Sequence, residues 1–78
     1  MVSVKIYSTP TCAYCKKAKE FFQQNNVKYE DIDVARDEAQ AKEMVEKSGQ
    51  MGVPVIDIDG QIIIGFDREA IKKALHLA

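Results

Sequence analysis

Val2, Val4 and Ile6 alternate with Ser3, Lys5 and Tyr7, the period-two pattern of a strand with one buried face. Ser8-Thr9-Pro10-Thr11 breaks the alternation with turn-forming residues. From Ala13 to about Asn25 the period lengthens. Tyr14, Ala18, Phe21, Phe22 and Asn25 recur at spacings of three and four, predicting a helix that buries this stripe and turns Lys16, Lys17, Lys19, Glu20, Gln23 and Gln24 to water. Asn25-Asn26 offers it a left-handed exit.

Val27 to about Val34 predicts a second strand, but Val27 and Tyr29 share one parity and Ile32 and Val34 the other, as in a short or bulged edge strand. Asp37 with Gln40 three residues on resembles a capping box. The helix it opens carries Ala41, Met44, Val45 and Ser48 on one face and ends at Gly49. Val53 to Ile58 predicts a third strand. Asp59-Gly60 is a hairpin signal, since a type I′ turn needs positive φ at both central positions. Gln61 to Ile64 is the returning strand, its Ile62-Ile63-Ile64 run suggesting burial on both faces, and Gly65 stops it. Asp67 caps a last helix striped by Ile71, Ala74, Leu75 and Ala78. The order is strand, helix, strand, helix, hairpin, helix. Its first half is a βαβ unit with two parallel strands and a right-handed crossover, and single-striped helices must cover both sheet faces.

Seventy-eight residues fit one domain, residues 1–78. Hydrophobic residues make up 46% and charged residues 29%, a globular balance. A formal charge of −1 argues against a nucleic-acid partner, which draws a basic excess. No apolar run is long enough to span a bilayer, and the alternating start does not read as a signal peptide. The expectation is a cytoplasmic monomer.

The two cysteines, Cys12 and Cys15, would close too small a loop to serve as a structural staple. Cys12 falls where the first strand has ended and the helix begins. Free N–H groups and the helix dipole there favour a thiolate, so its pKa is expected below the roughly 8.5 of a free thiol. Lys16, one turn on, adds a weaker, screened contribution. Cys15 reaches Cys12 but is less exposed, which assigns roles. Cys12 attacks a target disulfide, and Cys15 attacks the mixed disulfide and releases the reduced target. Three other readings stand beside this one. Zinc needs about four ligands, and beyond the pair only His76 is an obvious donor unless two chains share a site. The cysteines could be incidental core residues, although CxxC beside a βαβ pattern reads as redox. An acyl-transfer enzyme would need His76 as its base.

The chain resembles the glutaredoxins of the thioredoxin-fold superfamily. Cys12-Ala13-Tyr14-Cys15 is similar to their Cys-Pro-Tyr-Cys, and Ser48-Gly49-Gln50-Met51-Gly52-Val53-Pro54 to their Ser-Gly-Gln-x-Thr-Val-Pro. Asp59-Gly60 followed by Ile62-Ile63-Ile64-Gly65 resembles their closing hairpin. The resemblance covers the whole chain. It implies a thioredoxin fold, β-α-β-α-β-β-α, with a four-stranded mixed sheet flanked by three helices. It also implies a cis peptide before Pro54 facing the cysteines, where an ordinary trans proline opening the strand is the plainer alternative.

By the same resemblance, glutathione is a co-substrate and no cofactor is tightly bound. The backbone of Val53 pairs with the cysteinyl unit of glutathione, Tyr14 flanks the groove, Gly65 borders it and Asp67 meets the glutamyl amino group. Tyr14 could equally pack beside Ala18, and Asp67 could be a plain N-cap. Three positions depart from the family. Ser8 stands near a lysine that many members use for glutathione carboxylates, Gly52 replaces the threonine before Val-Pro, and Ala13 replaces the motif proline. Gly65-Phe66-Asp67 resembles the glutaredoxin-like proteins that feed ribonucleotide reductase, which implies a thioredoxin-reductase-type flavoprotein as the alternative donor. A different class is a non-catalytic module holding an iron–sulfur cluster between two subunits through Cys12 and glutathione. Phe66 and Met51 could form a docking patch or pack locally.

Overall fold

The computed structural model describes residues 3–50 and 52–75; Val2 and Ala78, expected in the first strand and last helix, lie outside them. The elements run β1 (Val4–Ser8), α1 (Ala13–Gln24), β2 (Glu30–Asp33), α2 (Glu38–Ser48), β3 (Val55–Ile58), β4 (Gln61–Ile64) and α3 (Arg68–Leu75). They form one mixed sheet in the order β2-β1-β3-β4. β1 lies parallel to β2, with Ile6 opposite Asp31, and antiparallel to β3, with Tyr7 opposite Val55. β4 closes the sheet antiparallel to β3. This is the β-α-β-α-β-β-α thioredoxin fold.

The sheet is the middle of three layers because β1 and β3 are apolar on both faces. Val4, Ile6, Ile56, Ile58 and Ile63 meet Ala18, Phe21 and Phe22 of α1 and Ile71 of α3. Tyr7 and Val55 meet Met44 of α2, with Ile32, Val45 and Val53 around them. Burying a ring such as that of Phe22 contributes about 2–3 kcal/mol. Local chemistry agrees with the tertiary pattern. Asp37 Oδ1 accepts the N–H of Gln40 at 3.2 Å, and Gly49 leaves α2 at φ +75°. Asp59 and Gly60 have φ +51° and +89°, as a type I′ turn demands. Asn26, at φ +56°, provides the exit from α1.

The short edge strand expected over 27–34 is β2, confined to four residues at the sheet edge because it pairs only along Lys5–Ser8; Val27 and Tyr29 pack on the core from the connecting loop. Three expectations need correction. β4 is the opposite edge, so Ile63 is buried while Ile64 is 50% exposed. Ser8 is no turn residue but the buried end of β1; its hydroxyl donates to Asp31 Oδ1 at 2.7 Å, which satisfies a polar group inside a strand. The α1 stripe is Cys15, Ala18, Phe21 and Phe22. Tyr14 has turned away and is 61% exposed.

Candidate functional site: the cysteine pair

The register puts the Ser8 end of β1, the Val55 end of β3 and the Ile64 end of β4 at one end of the sheet. Cys12, the Val53-Pro54 segment and Gly65 follow from or lead into those ends, so the topology gathers them. The Val53-Pro54 peptide is cis. The N–H of Gly65 donates to the Pro54 carbonyl at 2.9 Å, joining the two backbone segments.

Cys12 is the N-cap of α1, with extended φ −86° and ψ 112°. Its sulfur accepts the backbone N–H of Cys15 at 3.1 Å, and its own N–H donates to the Thr9 carbonyl at 3.3 Å. A sulfur in this place lies at the N–H groups of the first helical turn and at the positive end of the helix dipole. Cys12 is half-exposed and Cys15 is fully buried. Burial, followed by the hydrogen bond with Cys12, pushes the Cys15 thiol up to about 12, against weaker opposing pulls from the Thr9 backbone and the charge of Lys19. The arrangement presents one accessible sulfur at a helix terminus, with a protonated thiol held behind it.

The other expected residues differ in their places. Tyr14, between the two cysteines in sequence, stands out into solvent, with Lys17 Nζ 5.2 Å from its ring centroid. This removes the packing alternative. The Lys16 side chain is exposed, while its N–H donates to the Cys12 carbonyl at 3.3 Å. Asp67 caps α3, its Oδ1 accepting the Ala70 N–H at 3.1 Å. Phe66 packs edge-on against Phe21 at 6.0 Å, the local role rather than a docking one. Met51 and His76 lie outside the described residues, and among the described residues no group of three or more His, Cys, Asp or Glu side chains could hold a metal.

One feature at this end of the molecule escapes the sequence pattern. Lys19 is partly covered rather than turned fully to water: its Nζ lies 2.7 Å from Asp31 Oδ2, and Asp31 in turn receives the Ser8 hydroxyl. Burial tends to raise the Asp31 carboxyl, but the Lys19 ammonium and the Ser8 hydroxyl outweigh it and hold it below the usual carboxylate range. The available signal was spacing, since Lys19 follows Cys15 by four residues on one helix face.

Comparison with known proteins agrees with the geometry. Residues 4–63 match the Glutaredoxin family model. The chain is 50% identical over 73 residues to a glutaredoxin-like 8.6 kDa protein in the rubredoxin operon of Clostridium pasteurianum, covering 94% of this chain and 97% of that one. It is 37% identical over 67 residues to glutaredoxin 3 of Escherichia coli, covering 86% and 81%. A crystal structure of a thioredoxin-like protein superposes with a TM-score of 0.86 at 32% identity, covering 92% and 99%.

Proposed function

We propose, from the premise that this chain belongs to the glutaredoxin family and so to the thiol–disulfide oxidoreductases, that Cys12 is its nucleophile and Cys15 its resolving thiol. The observation that carries this reading is the stacking of roles at the head of α1. An accessible sulfur accepts the N–H of Cys15, whose own sulfur is buried and protonated. Cys12 attacks a disulfide in a protein, or one between a protein and glutathione, and releases one thiol. Cys15 then displaces the second, leaving the Cys12–Cys15 disulfide for an external donor to reduce.

Glutathione is the proposed donor. Its cysteinyl unit would lie along the Val53 backbone, between Tyr14 on one side and Gly65 and Asp67 on the other, with no tightly bound cofactor. The protein would act in the cytoplasm as a monomer. A specific observation favours the second reading, a thioredoxin-reductase-type flavoprotein as donor. The Ser8 hydroxyl is committed to Asp31, so this position offers no cation to a glutathione carboxylate.

NADPH oxidation with a small disulfide substrate decides between them, run with glutathione plus glutathione reductase and, in parallel, with thioredoxin reductase. Turnover in the glutathione arm is expected. Turnover only in the other arm would transfer the electron supply to the flavoprotein, and turnover in neither would overturn the catalytic reading.

A further inference from the structure

Lys19 is the one lysine of α1 whose side chain is largely covered, at 23% exposure, while Lys16 and Lys17 stand in water. It lies one turn below Cys15 on the same face. Its ammonium is held by Asp31 on β2 and, through Asp31, by the Ser8 hydroxyl at the end of β1. The next residue, Thr9, returns the circuit to the cysteines. Its carbonyl accepts the Cys12 N–H, and its backbone also reaches Cys15. A half-exposed ion pair contributes only about 0–1 kcal/mol to stability. Its placement matters more, because it anchors a positive charge on the residue one helix turn along from a buried thiol.

Resting on the role assignment above, the second half of the exchange makes a specific demand. Cys15 must give up its proton, its electron pair must form the bond to the Cys12 sulfur, and the target–Cys12 bond must break. The departing target sulfur carries away that bond's electron pair and takes up a proton. Negative charge therefore develops on Cys15 within a buried setting that opposes it. We propose that Lys19, fixed by Asp31 and Ser8, is a positioning residue for this resolving step: its ammonium stabilises the Cys15 sulfur as it becomes a thiolate, and it takes no part in the first attack by Cys12.

Stopped-flow reaction of the reduced protein with equimolar dithiobis-nitrobenzoate separates the two halves. The first thionitrobenzoate released reports attack by Cys12, and the second reports attack by Cys15. Lys19→Gln is expected to leave the first phase within about twofold and to slow the second about fivefold, a modest factor because Asp31 offsets part of the charge. Lys19→Arg should restore the second phase to within about twofold. Equal slowing of both phases, an unchanged second phase, or failure of arginine to rescue would overturn the inference. Thermal melts of both variants identify any loss of fold. The role assignment has its own controls in the same assay. Cys15→Ser should release one equivalent and Cys12→Ser should lose the fast phase; if either control fails, the cysteine roles fall, and Lys19's with them.

Discussion

Lys47 Nζ lies 2.9 Å from Asp57 Oδ2, on the face of the sheet that α2 covers, away from the α1 layer that holds Cys15. Asp57 is on the central strand β3 with its side chain only 11% exposed. Its other oxygen accepts the Gly60 N–H at 2.8 Å, and Lys47 also donates to the Tyr7 hydroxyl at 3.1 Å. Removing one partner of so covered a pair leaves a charge stranded. Lys47→Met is therefore expected to cost about 2 kcal/mol, less than a fully buried pair would because Lys47 is still 29% exposed. Urea denaturation checks this, and a loss below about 0.5 kcal/mol would mean that water already shields Asp57.

The same carboxylates set the acid limb of stability. Burial tends to raise Asp57, but Lys47 and the Gly60 N–H outweigh it and hold it below the usual range, as Lys19 and Ser8 do for Asp31. Between the lowered folded value and the unfolded value near 3.9, the unfolded chain binds more protons, so stability rises with pH there. The contribution is complete above about pH 4–5 and is lost as pH falls through the folded values. Asp57→Asn should flatten the urea midpoint against pH below about 4 relative to the wild type. An unchanged slope would remove Asp57 from the acid response.

Gly60 isolates the backbone contribution of the hairpin. Its φ is +89°, and a Cβ there would meet nothing within 4 Å. Alanine therefore adds strain without a clash. Gly60→Ala is expected to cost about 1 kcal/mol and to lower Tm by about 4–8 °C in a domain of this size, with the exchange rate unchanged. A Tm within about 1 °C of the wild type would show that the turn relaxes to another type.

These elements also show what the sequence made legible. Asp59-Gly60, Asp37 with Gln40, and Gly49 are local signals whose partners lie within a few residues, and each folded as its chemistry dictates. The cysteine pair was legible for the same reason, because its sulfur–backbone contact spans three residues. Position in the sheet was not. Ile62-Ile63-Ile64 looks central until Ile64 is found on an edge. Ser8 and Lys19 look solvated because their partner, Asp31, arrives from another element. Tyr14 had the spacing to pack, but Cys15 took the buried place on the helix instead.

The contrast between the two sulfurs predicts selective labelling. With its thiol pushed up to about 12 and its side chain fully buried, Cys15 stays protonated and out of reach at pH 7. Cys12 is accessible at a helix N-terminus. Brief iodoacetamide treatment of the reduced protein at pH 7 should add one carbamidomethyl group at Cys12 by peptide mass mapping, and a second only in denaturant. Equal labelling of both in the folded state would show that Cys15 opens to solvent.

Tyr14 separates binding from folding. Its side chain is 61% exposed in the segment between the cysteines and carries a cation–π contact with Lys17 at 5.2 Å, a contact worth about 0.5–1 kcal/mol where exposed. Deleting the ring uncovers no core, so Tyr14→Ala should move the unfolding free energy by less than about 1 kcal/mol. If the ring lines the groove for the substrate, losing one aromatic contact should raise KM for a glutathione-mixed disulfide by about three- to tenfold while kcat stays within about twofold, the pattern of a lost interaction that ground and transition states share. Steady-state kinetics on a glutathionylated peptide, with a melt on the same sample, provides both readings. An unchanged KM would place the substrate elsewhere on the sheet end. A fall in kcat at constant KM would instead tie Tyr14 to the cysteines themselves, through the helix turn that it shares with them.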